Sequence, residues 1–401
     1  MRKTAINLVA ALSIATFTGR VAAAELNRGI SDTEITIGQT TPYSGLLSSL
    51  AVVSKANLGY FQMINDQGGI NGRKINLISL DDAYSPPKAF EQTRKLIEQD
   101  RVSFIFQSMG TPTGAAVQAY LNQRGIPQLF QSTGGSRFND PGRYPYSSEF
   151  SPNYRDEATI YAKYILQNMP NAKVALLYQD DDFGRDYQGG LHVGFGNRYR
   201  DVVVAEAGYQ ATDPTVDSQM ISLKASGADV LVAGAGPHAL LQAIRKDYDL
   251  GWKVPTFIPS TTATIGVLAP AGLEKAVGVM GGAFMKDPQD KRWAENPDAK
   301  AYRVWLARYY PGGNGDPTNT LITYGYNAAA LMVRILKDCG NDLSRKHINE
   351  IATHLRDVQL PMFLPGITVT TTPQDHSIVR KLQIVRFNGK GWDPLGSLVE
   401  K

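Results

Sequence analysis

From residue 33 onward the chain alternates short β-branched runs with amphipathic stretches of helical period, and this alternation restricts the fold more than any other feature. Thr33-Glu34-Ile35-Thr36-Ile37-Gly38 reads as a strand, and residues 56–66 as a helix with Leu58, Phe61, Met63 and Ile64 apolar. Residues 76–80 give the next strand, and 88–99 a helix with Phe90, Leu96 and Ile97 inward. Residues 102–106, 113–124 and 128–130 follow as strand, helix and strand. A second series begins after the aromatic stretch 144–154, with helices at 156–167, 185–195, 218–226 and 238–249. They are interleaved with strands at 174–178, 202–205, 229–233 and 255–258. Successive βα units predict parallel, doubly wound sheets whose carboxyl-end loops bind ligands, and two such series predict two lobes with a cleft between them. The remainder reads as a strand at 279–284, helices at 298–309, 320–338 and 348–355, and a late strand at 382–387.

Four hundred and one residues suit two packed units rather than one. Met1-Arg2-Lys3, an apolar run over 5–17 and Ala22-Ala23-Ala24 before Glu25 form the three parts of a secretory signal peptide, expected to span residues 1–24. No later stretch is long and apolar enough to span a bilayer, so no stable membrane insertion is expected. The formal charge is +4, and the first 24 residues hold three basic side chains and no acid, which leaves a near-neutral body with no footprint for nucleic acid. The single cysteine, Cys339, can form no internal disulfide, and its place before Gly340 reads as a half-buried small apolar residue at a helix end.

A search for catalytic motifs is mostly negative. The five histidines, at 192, 238, 347, 354 and 376, include no His-Glu-x-x-His pair, and neither a Gly-x-Ser-x-Gly elbow nor a phosphate-cradling Gly-x-x-x-x-Gly-Lys occurs. Asp180-Asp181-Asp182-Phe183-Gly184 starts like a calcium loop, but its glycine comes one position early and no Glu closes it. Gly234-Ala235-Gly236-Pro237-His238-Ala239 fits a loose dinucleotide fingerprint without the acid expected on the following strand. It reads better as a tight turn facing the cleft. The expectation is a non-enzyme without cofactor or metal.

The loops at the carboxyl ends of strands are instead rich in small hydroxylated residues: 107–113 with Ser108 and Thr111, 131–136 with Ser132, Thr133 and Gly134, and 259–264 with Thr261. Such loops ahead of helices offer hydroxyls and backbone N–H groups to an anion, although taken singly they equally serve as N-caps and turns. Tyr43, Phe183 and Tyr187 lie near them as candidate pocket walls, with Gly236 on the facing turn. Whether Arg137, Arg155 or Arg185 enters the cleft is left open by the sequence.

These residues resemble the periplasmic solute-binding proteins of ABC importers, in the branch that contains the leucine/isoleucine/valine-binding protein. The marks are Ile35-Thr36-Ile37-Gly38 with Thr41-Pro42-Tyr43-Ser44-Gly45, then Ile64-Asn65-Asp66-Gln67-Gly68-Gly69-Ile70-Asn71-Gly72-Arg73, Asp81-Asp82, Lys95-Leu96-Ile97, Ala162-Lys163-Tyr164-Ile165, and the stretch 178–187. The resemblance implies an α/β fold of two Rossmann-like lobes with parallel-rich sheets, joined by a three-crossover hinge. The first lobe would hold 30–150 and 283–365, the second 151–282 and 366–401. It further implies a periplasmic monomer that closes on a small-molecule ligand and docks on a membrane ABC permease, with a sensor for a membrane receptor as another reading. By resemblance the ligand carboxylate would lie on Thr111 and the Ser132-Thr133-Gly134 segment. Relatives that bind α-amino acids carry an acid in the loop before Ile265, where this chain has Thr261 and no acid. An ammonium desolvated without a counter-charge costs several kcal/mol. The expected ligand is therefore a carboxylate without an amine, aromatic acids included, with a branched-chain amino acid as the alternative.

Overall fold

A computed structural model describes residues 28–313 and 315–400, and the expected signal peptide lies outside them. The first sheet is five-stranded and wholly parallel, in the order β2-β1-β3-β4-β5. Its strands are β1 (Glu34–Thr41), β2 (Lys74–Asp81), β3 (Ile105–Phe106), β4 (Gln128–Gln131) and β5 (Ser147–Glu149). Between the first four run α1 (Val52–Asp66), α2 (Pro86–Glu98) and α3 (Thr111–Gln123). The chain then enters the second lobe through α4 (Tyr154–Asn168), which packs on α5 (Asp182–Phe195).

The second sheet has seven strands in the order β12-β11-β10-β9-β8-β6-β7. β6 (Val174–Gln179), β7 (Val203–Tyr209), β8 (Val230–Gly234), β9 (Thr256–Ile258) and β10 (Met280–Ala283) are parallel. Their connections carry α6 (Tyr199–Val202), α7 (Asp217–Ala225), α8 (Pro237–Asp249) and α9 (Ile265–Leu268). After β10 the chain returns to the first lobe with α10 (Pro297–Tyr309), α11 (Thr320–Asp338) and α12 (Arg345–Ala352), where α11 lies along α1. It crosses a third time to end in the antiparallel pair β11 (Lys381–Phe387) and β12 (Trp392–Glu400).

The sequence explains the layers. β8 is buried throughout and β6 nearly so, as strands covered by helices on both faces must be, whereas β12 at the edge is largely exposed. Several helices start two to four residues before the expected position, where a first turn bears proline or a polar cap, and others start within one residue of it. Asn153 caps α4 by accepting from the N–H groups of Arg155 and Asp156, and Asp181 caps α5 through that of Phe183. Pro86 and Pro87 open α2.

Some expectations need correction. Phe90 faces outward, 36% exposed, against the ring of Tyr120 at 5.5 Å between centroids. The strand expected at 202–205 starts one residue later and runs to Tyr209, because Val202 closes the short α6. Cys339 is buried at the end of α11, with its thiol pushed up to about 12 by burial, an inert core residue. No helix among the described residues is long and apolar enough to cross a membrane.

Candidate functional site

The carboxyl ends of the two sheets face each other across a cavity of about 600 Å³, its mouth included. The first lobe's contribution is built by the loops after β3 and β4, which lace together. Ser108 Oγ accepts from the Thr40 N–H at 2.9 Å, the Ser108 carbonyl accepts from the Ser132 N–H at 2.8 Å, and the Ser132 carbonyl from the Gly110 N–H at 3.2 Å. Gly110 then turns the chain into α3 at a φ of 102°, a conformation that favours glycine. A Cβ there would stand 2.5 Å from the ring of Tyr84, whose own φ is +59°. These turns set Met109, Gly110, Thr111 and Ser132 on the cavity wall. Leu47 and Leu50, from the turn ahead of α1, and Leu321 and Tyr324, from α11, give it apolar sides.

From the second lobe come Gln179 at the end of β6, Phe183 in the first turn of α5, Ala235, Gly236 and Pro237 before and in α8, and Thr261 and Thr262 after β9. Gln179 is held on both sides. Its amide donates to Asp181 at 2.6 Å, and its carbonyl oxygen accepts from the Tyr209 hydroxyl at 3.2 Å. The Gly236 N–H donates to that same hydroxyl at 3.0 Å and its carbonyl accepts from the Leu240 N–H at 2.9 Å, so the glycine presents its lack of side chain rather than a free polar group. The ring of Tyr154 joins Phe183 at 4.7 Å and Tyr187 at 5.7 Å, with Tyr154 and Phe183 on the wall. Among the described residues no charged side chain lines the cavity.

Of the residues singled out in the sequence, Thr111, Ser132, Phe183, Gly236 and Thr261 come together on this wall. Tyr43, Ser108, Thr133 and Gly134 do not. The Tyr43 hydroxyl donates to Ser79 at 2.8 Å, beside Asp81, on the outer side of the first lobe's loops. Ser108 is spent on Thr40, as above. The Thr133 hydroxyl bonds that of Thr111 at 2.6 Å and accepts from the Gly135 N–H, which fixes the rotamer of Thr111 from behind. A Cβ on Gly134 would meet the Pro152 carbonyl at 2.0 Å, and the Gly134 carbonyl accepts from the Tyr154 N–H, so this glycine permits the close approach of α4. Tyr187 stands behind Phe183. None of the three arginines left open lines the cavity: Arg137 pairs with Asp182, Arg185 with Asp180, and Arg155 lies along Gly189.

These pairings also account for the acidic run 180–182, whose first and third acids make ion pairs while Asp181 caps α5. Among the described residues no cluster of His, Cys, Asp or Glu could hold a metal ion. Across the mouth the lobes touch directly. Ser136, from the first lobe, donates its N–H and hydroxyl to the Asp186 carboxylate of α5 at 2.7 and 2.6 Å, beside the Arg137–Asp182 pair. On another side Thr264 Oγ1 donates to the Thr318 carbonyl at 2.9 Å and accepts from the Thr320 N–H.

Behind the wall lies a carboxylate the sequence reading did not single out. Glu157, in the turn of α4 after Tyr154, is 0% exposed. It accepts from the N–H and hydroxyl of Ser260 and from the hydroxyls of Tyr187 and Tyr161, the last at 3.0 Å. Burial pushes its pKa up against the pull of those hydrogen bonds. Tyr84, Tyr154, Gln179 and Tyr324 were also missed. Tyr84 follows β2 and was within reach of the same carboxyl-end rule that found the other loops. Tyr324 comes from α11 and carries no local signal of its position.

Two α/β lobes that meet over a cleft with an uncharged wall are the architecture of a two-lobed binding protein. Residues 34–391 match the family model described as "Periplasmic binding protein", and the chain belongs to that family. Membership in a family of binding proteins agrees with the expectation of a non-enzyme. Among its relatives is "Leu/Ile/Val-binding protein homolog 3" of Brucella melitensis, 26% identical over 212 residues; the match covers 51% of this chain and spans about half of that relative, 55%. A branched chain amino acid ABC transporter structure from Thermus thermophilus with bound valine superposes with a TM-score of 0.81 at 16% identity, covering 93% of this chain and 98% of that one. A fatty acid ABC transporter substrate-binding protein from Thermomonospora curvata gives 0.77 at 20% identity, covering 94% of each.

Proposed function

We propose that this chain captures a small carboxylate-bearing solute between its lobes in the periplasm and presents it to the permease of an ABC importer, and that the solute is a branched-chain amino acid. The cavity carries the reading. Its first-lobe end combines the Thr111 and Ser132 hydroxyls with the start of α3, a cradle for a carboxylate, and Leu47, Leu50 and Leu321 stand within the same wall for an aliphatic side chain. Relatives whose names specify leucine, isoleucine and valine support the same ligand class. One observation favours a second reading, an amine-free carboxylate: no acidic side chain lines the cavity to face an ammonium. The same fold carries a protein named for fatty acids.

Thermal-shift titration separates the two readings, with L-leucine, L-valine and 4-methylpentanoate, which is leucine without its amine. A ligand at 100 times its Kd adds about 2.7 kcal/mol of stability. A shift with leucine or valine that exceeds that with 4-methylpentanoate supports the first reading. A shift with 4-methylpentanoate alone supports the second, and no shift with any of them contradicts both.

A further inference from the structure

We infer that Glu157 is the positioning residue that makes the cavity favour a ligand with an amino group, acting from behind the wall through its charge and through Ser260. The inference rests on the reading of the site as one for an amino acid and supplies the counter-charge that the loop before Ile265 lacks.

Glu157 is an acid buried with hydrogen bonds but without a counter-charge. Glu157 is completely buried, yet none of the ion pairs among the described residues includes it. Its partners are the hydroxyls of Ser260 and Tyr187, the Ser260 N–H and the Tyr161 hydroxyl, whose single proton is shared with the Ile258 carbonyl at 2.8 Å, and all are neutral. A buried carboxylate without a cation is costly and burial raises its pKa, so an ammonium close by favours its ionised form; a glutamine keeps one acceptor oxygen and turns an amide donor toward a group that now donates. The charge lies within one residue of the cavity on two sides. Tyr154, three residues earlier on the same helix face, lines the wall, and Ser260 precedes Thr261 and Thr262, which line it too. The two hydrogen bonds from Ser260 to Glu157 hold that loop. Ser260 and Tyr187 stand behind the wall, and the Glu157 carboxylate acts on the cavity through its field at Tyr154 and through the loop that carries Thr261, both on the wall. A ligand ammonium is the cation this arrangement lacks.

The test is calorimetric titration of the full chain, wild type and Glu157→Gln, with L-leucine and 4-methylpentanoate. Glutamine keeps the shape and removes the charge. The expected result is a loss of about tenfold or more in leucine affinity, with 4-methylpentanoate unchanged or bound more tightly. A bracing role alone would weaken both ligands by the same factor, and that result, or an unchanged leucine affinity, overturns the inference while leaving the functional reading intact. Should Glu157→Gln fail to fold, the wild type still decides: it must prefer leucine over 2-hydroxy-4-methylpentanoate, in which a hydroxyl replaces the amine, and equal affinities overturn the inference. A wild type that binds none of these, or only the amine-free acids, overturns the functional reading and the inference with it.

Discussion

Glu149 ends β5 where the chain leaves the first lobe, fully buried, and no cation pairs with it among the described residues, its polar neighbours being its own backbone and the Asn153 side chain. Burial, with the Asp375 and Asp156 carboxylates nearby, pushes its pKa up to about 8. Between the ordinary carboxylate value of 4.5 and about 8 the folded chain therefore holds a proton that the unfolded chain has released. Stability falls as pH rises through that window and the deficit persists above it. Glu149→Gln removes the penalty, so melting curves at pH 5 and pH 9 should show the variant gaining on the wild type at the higher pH; an equal difference at both would contradict the assignment. The same scale shows what single residues reveal in a sequence. Thr111, Ser132 and Thr261 were legible because loops at carboxyl strand ends are places, not side chains, and the rule finds places. Which hydroxyl on such a loop faces inward depends on its neighbours. Ser108 is turned back onto the Thr40 N–H, and of the bonded pair Thr111 and Thr133 only Thr111 stands on the wall.

At the scale of elements, the strand and helix alternation was almost wholly readable, because each buried face imposes its own period. The omissions have physical causes. β5 is three polar residues, Ser147–Glu149, buried by pairing with β4 rather than by an apolar pattern. β12 is an exposed edge strand with Gly396 at a φ of +73°, and it lacks the alternation of a half-buried strand. The junction before α4 deserves its own test, because Asn153 caps the helix that carries both Tyr154 and Glu157. Asn153→Ala should cost about 1 kcal/mol in denaturant unfolding, the usual worth of such a cap. It should also weaken ligand binding, since the first turn of α4 forms part of the wall. An unchanged midpoint would mean the cap is replaced by solvent.

At the scale of the whole molecule, the lobes depend on contacts that exist only when they meet. Asp186 receives two hydrogen bonds from Ser136 across the mouth, and closure onto ligand is favoured by whatever both lobes contact together. Asp186→Ala removes that bridge without touching the cavity wall. It should lower ligand affinity severalfold, chiefly by speeding release, and leave the unfolding midpoint of the ligand-free chain within about 1 kcal/mol of wild type. Stopped-flow release of bound ligand measures the first effect and denaturant titration the second. Long-range assembly of this kind was visible in the sequence only as two series of βα units. That Leu321 and Tyr324 return from α11 to complete a cavity begun at Leu47 is a property of the three crossings, which no local pattern encodes.

Small-angle X-ray scattering of the chain with and without saturating L-leucine shows whether two lobes close on a carboxylate-bearing amino acid. The expected result is a smaller radius of gyration with leucine, with the Ser136–Asp186 and Thr264–Thr318 contacts held closed. A scattering profile that leucine leaves unchanged would contradict it.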